Sequence, residues 1–445
     1  MTTLAEAIAT LTAPGGPFEV RREPVCGNEL LVYVNRLRSM RELVAMADAR
    51  GDAEWVVQQT VRLTYAEHNA RVRALAHNLL ELGLAPGDRV ALVSANNPAW
   101  IEVFWACAVA GLICVPLNAW WKSEELAFAL DDSGARVLIA DQRRYEVVAG
   151  VLGDLPELAH TFVIGTESFA ELEQGQDPGV LPDVSIDEDD ISGIFYTSGT
   201  TGRPKGATIT HRQVIANLQN VLCLGVAQAM TGQTPPELAE GERPRAAALL
   251  VVPLFHTTGC HATMVLNYAA GAKLVLMPPG RFDPEVAMRL IEQERITAIG
   301  GVPTIMWRIV EHPRLGDYDL SSVTRISYGG AGGADRLAGG LPGLPGPVRA
   351  LRRWTGPVAG GPDRRDLPQC PHRARDGLRA HGVRVGRDGD QWGRLPRAPG
   401  ICRQAGADRG DPHRRRRRQR RPTGGGGRDL VARSHDLLSR LLAPA

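Results

Sequence analysis

Residues 191–206 read Ile-Ser-Gly-Ile-Phe-Tyr-Thr-Ser-Gly-Thr-Thr-Gly-Arg-Pro-Lys-Gly. An apolar run, Ile191 to Tyr196, reads as a buried strand. It leads into four hydroxyls (Thr197, Ser198, Thr200, Thr201), with Gly199, Gly202 and Gly206 among and after them and the ammonium of Lys205 near the end. Glycines let a backbone aim several N–H groups at one point, hydroxyls add donors, and the lysine supplies countercharge. The stretch therefore suits a polyanion such as a nucleoside triphosphate. It lacks the Gly-Lys-Ser/Thr ending of a Walker loop and is not a dinucleotide fingerprint. A plain Ser/Thr/Gly turn accounts for four or five such residues, not for ten ending in Arg-Pro-Lys-Gly directly after a strand.

The elements that must position this loop are legible on both sides of it. Thr64-Tyr-Ala-Glu67 is a capping box opening a helix with Val72, Leu75, Leu79 and Leu82 on one face, ended by Gly83. Val90–Val93 predicts a short buried strand, Pro98–Ala110 a helix, and Leu112–Val115 the next strand. The unit repeats: Ser123 is placed to cap a helix carrying Leu126 and Leu130, Gly134 breaks it, and Val137–Ala140 follows as a strand. Beyond the loop, helix is expected over His211–Leu222, strands over Ala247–Val252 and Lys273–Met277, and a helix from Asp283-Pro-Glu through Arg295. A brief strand at Ala298–Gly300, a helix opened by Pro303 and a strand at Val323–Tyr328 complete the pattern. Residues 1–60 are mixed, with a loop at Pro14–Pro17 and a strand at Leu30–Val34. Alternation of this kind implies an α/β fold, layered around largely parallel sheets.

Composition divides the chain. Of 445 residues with a net charge of +2, the 112 from Ala334 onward hold 25 Arg, 10 Asp, no Lys and no Glu, a balance of +15. Residues 1–333 hold 26 basic and 39 acidic groups, a balance of −13. The same tail has no Phe, Tyr, Met or Asn and a single Ile, Ile401. With every regularly spaced apolar face gone, it cannot bury enough surface to offset its chain entropy. The missing residues are mainly those with AT-rich codons, so the segment reads as out-of-frame translation of a GC-rich gene after residues 331–333. The expected organisation is an N-terminal extension at 1–49, an incomplete nucleotide-binding domain at 50–333, and a low-order Arg-rich tail at 334–445. No run of about 18 apolar residues is present, and Met1–Thr10 lacks the order of a signal peptide. The seven scattered cysteines form no Cys-x-x-Cys pair, which suggests isolated thiols in a reducing cytoplasm rather than disulfides or a zinc site.

The wording Tyr-Thr-Ser-Gly-Thr-Thr-Gly-Arg-Pro-Lys-Gly resembles the phosphate loop of the AMP-forming adenylating superfamily, which includes acyl-CoA synthetases, luciferases and peptide-synthetase adenylation domains. Gly87-Asp-Arg-Val-Ala-Leu-Val-Ser-Ala-Asn-Asn-Pro98 and Ala110-Gly-Leu-Ile-Cys-Val-Pro-Leu-Asn118 look like its early structural segments, read here as packed core. Pro253-Leu-Phe-His256 looks like its acyl-pocket motif. A lone His after a strand is more often structural, but this context favours a pocket role for His256. Amino-acid-adenylating relatives carry an Asp after this Phe; with His256 there, no acid offsets a buried ammonium, and a carboxylic acid without an amine fits better. Val265, Leu266 and Ile305 could line an acyl channel or be core. Gly300-Gly-Val-Pro-Thr304 resembles the segment before the nucleotide pocket, and Ser327-Tyr-Gly-Gly-Ala331 the adenine-contacting one, with Gly329, Gly330 and Ala331 flat against the base.

The resemblance implies a fatty-acid–CoA ligase that uses ATP, Mg2+ and coenzyme A. The large domain of the adenylate-forming fold is expected, cytoplasmic or peripheral at a membrane. Thr197, Ser198, Gly199, Thr200, Thr201, Gly202 and Lys205 would hold the β- and γ-phosphates. The family continues with a Thr-Glu motif for phosphate and Mg2+, a Thr-Gly-Asp motif for ribose, and a small domain supplying a catalytic Lys. Here no Glu follows Glu311 and no Lys follows Lys273. No catalytic residue and no metal ligand is therefore assigned, and little activity is expected. Two other readings compete: a non-catalytic remnant whose Arg414–Arg418, Arg420 and Arg421 contact nucleic-acid phosphates without sequence preference, and acyl transfer to a carrier-protein thiol.

Overall fold

The computed structural model describes residues 2–173, 179–197, 203–232 and 245–328. Fourteen strands are found among them. β1 (Val20–Val25) and β2 (Asn28–Tyr33) form an antiparallel hairpin. β3 (Glu54–Gln58) and β4 (Val61–Thr64) precede the capping-box helix. β5 (Arg89–Val93), β6 (Ile113–Pro116), β7 (Val137–Asp141), β8 (His160–Ile164), β9 (Ile191–Thr197) and β10 (Lys205–Thr210) make one six-stranded sheet, in the order β10-β9-β6-β5-β7-β8. β11 (Ala247–Leu250), β12 (Lys273–Leu276), β13 (Ala298–Gly301) and β14 (Arg325–Tyr328) join β3 and β4 in a second, ordered β14-β13-β11-β12-β3-β4. Each sheet is parallel apart from one antiparallel edge strand, β10 in the first and β4 in the second.

Alternate residues of each sheet face different layers. Val90 and Leu92 of β5 and Ala248 and Leu250 of β11 point into one shared core. Ala91 and Val93 face a second core, with the Ser123–Ser133 helix. Ala247 and Leu249 face a third, with the Pro284–Glu294 and Pro303–Val310 helices. The Pro98–Ala110 helix lies in the shared core and is buried at every position from Trp100 on, which is why its sequence is apolar all round rather than striped. Both faces of both sheets are covered, as parallel sheets require.

Local chemistry explains most element ends. Thr64 and Glu67 form the reciprocal capping box, Asn97 caps the next helix through Trp100 N, and Gly111 and Gly134 end their helices in the left-handed region at φ 70° and 61°. Asp283 caps its helix through Glu285 N and Val286 N. Two expectations are corrected. Ser123 is the first helical residue rather than the cap; Lys122 holds the cap position, its N–H donating to the Glu125 carboxylate at 3.0 Å. The helix from His211 runs on to Met230, since Gly225 is tolerated inside it while Cys223 and Ala227 pack against the chain's first helix. The cysteines among the described residues are free thiols, as expected, and the fold sets Cys107 beside Cys114, whose thiol that contact, with burial, pushes up.

Residues 1–60 hold more structure than their mixed pattern suggests. The Leu4–Thr12 helix packs through Ala7 and Leu11 on the His211–Met230 helix. Arg36, with a side chain 4% exposed, joins Glu23 to Glu188 at 2.8 Å each, and Arg38 and Arg212 close on Glu188 from the other sides.

Candidate active site

β9 is the strand that aims the hydroxyl-rich loop. Ile191–Tyr196 are buried and Thr197 emerges at the carboxyl end, because β9 lies between β10 and β6 with both faces covered. Two devices hold its last turn in place. The Tyr196 hydroxyl donates to Asp132 at 2.7 Å, and burial beside that carboxylate raises the phenol well above its ordinary range. Gly206, across the ladder from Tyr196, has no room for a side chain: a Cβ there would stand 2.8 Å from Ile194 Cγ2 and 3.2 Å from the Tyr196 ring.

The register β10 takes on β9 sets Lys205 opposite Thr197, and both are exposed. The loop they bracket is thus a hairpin connection whose two ends carry a hydroxyl and an ammonium. Arg203, two residues before Lys205, lies over the Phe128 ring at 5.5 Å. Of the expected phosphate residues, Thr197 and Lys205 are brought together; Ser198, Gly199, Thr200, Thr201 and Gly202 lie outside the described residues. So do Gly329, Gly330 and Ala331, which directly follow β14. Gly300 and Gly301 do allow close approach, and the approaching groups in this chain are Ser327 Oγ and Val251 Cγ2, each 3.0 Å from a Cβ placed there.

The second sheet contributes the segment after β11. A clamp from the first sheet fixes it: Asn96, just past the end of β5, donates to Val252 O at 2.9 Å and accepts from Leu254 N at 2.8 Å. Gln58, at the end of β3, in turn donates to Asn96 O at 2.9 Å. Gly259 is obligatory behind this segment, because a Cβ would collide with the Pro253 carbonyl oxygen. The clamp leaves Phe255 buried and His256 exposed beside it, ring centroids 4.6 Å apart, and partial burial lowers the His256 pKa. Val265 packs in the shared core with Leu266 against it, and Ile305 packs in the third core. The packing alternative therefore describes all three.

Three side chains that the sequence did not single out tie these parts together. His261, buried and pushed down to about 4 by that burial, lies tilted against Phe195 of β9 with ring centroids 4.9 Å apart. Trp121 meets Tyr196 edge-on at 6.1 Å, while Trp120 meets Phe255 edge-on at 5.2 Å. The signal was a pair of tryptophans five residues past a buried strand. Parallel strands put the carboxyl ends of β5, β6, β9, β11 and β13 on the same edges, and the Asn96 and Trp120 contacts bring those edges face to face. A crevice outside the carboxyl ends of parallel strands is where ligands of open α/β sheets bind. Among the described residues no three His, Cys, Asp or Glu side chains gather to cage a metal.

With this geometry in hand, likeness to known proteins can be read. The family described as AMP-binding enzyme matches residues 43–341. The feruloyl-CoA synthase of an Amycolatopsis species is 39% identical over 269 residues, 60% of this chain and 49% of that protein. The medium-chain-fatty-acid–CoA ligase of Ectopseudomonas oleovorans is 30% identical over 330 residues, 70% of this chain and 55% of its own. Among solved structures, the inhibitor-bound N-terminal domain of FACL13 from Mycobacterium tuberculosis matches with a TM-score of 0.56 at 29% identity, over 66% of this chain and 70% of that one. The chain spans about half the length of the curated relatives it matches.

Proposed function

The chain belongs to the AMP-binding enzyme family, and from that membership we propose that it is the nucleotide-binding part of an AMP-forming acyl-CoA ligase. The supporting observation is the pairing of Thr197 with Lys205 across β9 and β10, which brackets the hydroxyl-rich loop at the carboxyl edge of the sheet. In this reading the carboxylate of an organic acid attacks the α-phosphorus of ATP, forming acyl-adenylate and releasing pyrophosphate. The thiolate of coenzyme A then displaces AMP. Lys205 and the hydroxyls hold the β- and γ-phosphates, so this part supplies positioning and countercharge, the main contributions in phosphorus displacements. Mg2+, for which no ligand is assigned in this chain, would supply charge neutralisation on the phosphates.

We further propose that the chain as it stands turns over poorly. It has no Glu after Glu311 and no Lys after Lys273 to serve metal and α-phosphate. Losing one preorganised donor costs on the order of 10²–10³ in rate. The Lys-free, Glu-free composition past Ala334 supports an out-of-frame origin for that segment. Resequencing the gene tests this, and an intact frame through residue 445 would refute it. Function is tested by titrating ATP and Mg2+ into the full chain. Saturable binding, weakened about ten-fold by Lys205→Ala, with pyrophosphate exchange near background across a panel of acids, is expected. Robust exchange overturns the impairment, and an absence of ATP binding overturns the nucleotide reading. Kinship spans aromatic and fatty acids, so it does not choose the acid.

A further inference from the structure

Trp120 is 68% exposed, the most exposed of the large apolar side chains among the described residues. It is not a floppy surface residue. Its backbone N–H donates to Asn118 Oδ1 at 2.9 Å and the Trp121 N–H to Asn118 O at 3.1 Å, so one asparagine fixes the turn. Trp121 then anchors the turn on Tyr196, the residue before the bracketed loop begins. The turn leaves β6, which runs parallel to β9 with Cys114 opposite Gly193, so it emerges at the same edge as that loop. From there the Trp120 indole stands at 86° to Phe255, and Phe255 at 52° to His256. The Asn96 clamp holds the Phe255 side of this corner rigidly.

We infer that Trp120 and His256, both set against the buried Phe255, form an aromatic corner that receives the ring of a planar aryl carboxylic acid, in preference to a saturated fatty acid. The inference rests on the adenylation reading and names its substrate class. An aromatic ring entering beside Trp120 and His256 gains offset or edge-to-face contacts in which ring quadrupoles attract, whereas an alkyl chain gains only buried area. Phe255 is buried and the turn that carries Trp120 is held by Asn118, so little backbone freedom is lost on binding. His256 suits this role. No hydrogen bond among the described residues engages its imidazole, and partial burial favours its neutral form. It adds no charge that an apolar ring would have to desolvate, and it can bond a polar substituent on that ring.

The test is calorimetric titration of the full chain with two non-hydrolysable sulfamoyl-adenosine conjugates, one of cinnamic acid and one of octanoic acid, with ATP as a third ligand. Wild type is expected to bind the cinnamoyl conjugate about ten-fold or more tighter than the octanoyl one. Trp120→Ala should erase that preference by weakening the cinnamoyl conjugate alone, and Trp120→Phe should retain it. Equal or reversed preference in wild type overturns the inference, as does a Trp120→Ala effect that falls equally on both conjugates or on neither. Binding of ATP without either conjugate sinks the corner but spares the adenylation reading. Failure of all three ligands sinks both. Trp120 is exposed, so an unchanged thermal midpoint in its variants separates loss of binding from loss of fold.

Discussion

Asn96 shows how a residue remote from any reacting atom can govern this site. Its side chain makes two hydrogen bonds to the backbone of the segment ahead of Phe255 and His256. Asn96→Ala leaves Val252 O and Leu254 N without those partners, which costs about 1–3 kcal/mol. A lowered thermal midpoint is expected, together with weaker binding of any acyl-adenosine conjugate while ATP binding stays near wild type. Gly206 is a second such residue: Gly206→Val would drive a branched side chain into Ile194 and Tyr196, costing about 1–3 kcal/mol by overpacking. Urea unfolding should register that loss, and an unchanged midpoint would mean that β10 can leave the β9 edge freely.

At the level of elements, the charged cluster around Arg36 decides whether the N-terminal hairpin stays docked. Arg36 is nearly buried between Glu23 and Glu188, and hydrogen bonding to it holds Glu23 down to about 2. A carboxylate depressed in the folded state adds stability that is present above its unfolded value near 4.5 and lost as pH falls through about 2. The docking contribution is thus expected to survive at pH 5 and to disappear in strong acid. Arg36→Met removes the common cation and leaves two half-buried carboxylates to Arg21, Arg38 and Arg212, a change that costs about 1–3 kcal/mol. Limited proteolysis at pH 7 should then cut within residues 20–39 well before the body of the chain; equal cleavage in wild type and variant would contradict this.

At the scale of the whole fold, three histidines are buried among the described residues, and they set its acid response. Burial pushes His68 to about 3 and His211 and His261 to about 4. Each stays neutral when folded, and the unfolded chain takes up the proton as pH falls below about 6.5. Stability is therefore expected to drop between pH 6.5 and pH 4, by on the order of 3 kcal/mol per histidine at the acid end. Above pH 4.5 the depressed carboxylates Glu23 and Glu294 do not contribute to that slope. His68 sits among Trp55 and Tyr268 with neither ring nitrogen partnered. His68→Phe should accordingly flatten the pH dependence of the thermal midpoint from 6.5 to 4 and raise the midpoint at pH 5. A slope unchanged from wild type would show that His68 is already protonated in the fold.

Local chemistry in the sequence was enough for the helices at Tyr65–Glu81 and Pro98–Ala110, for the buried strand ending at Thr197, and for the family. Caps, periodicity and a loop of hydroxyls and glycines act over a few residues and need no distant partner. The strand expected at Leu30–Val34 is found as β2, but its hairpin partner β1 and the edge strands β4 and β10 were not legible, because their exposed faces carry no apolar alternation and only a neighbour across the ladder makes them strands. Nor could spacing along the chain reveal that Asn96 holds Leu254, that Trp120 meets Phe255, or that Cys107 lies beside Cys114. The first two pairs come from parallel strands that emerge at common edges after long crossovers, and the third from the helix that leads into β6 folding back on it. Which side chains share the crevice was thus decided by strand order and sheet packing, long-range facts that no window of sequence contains.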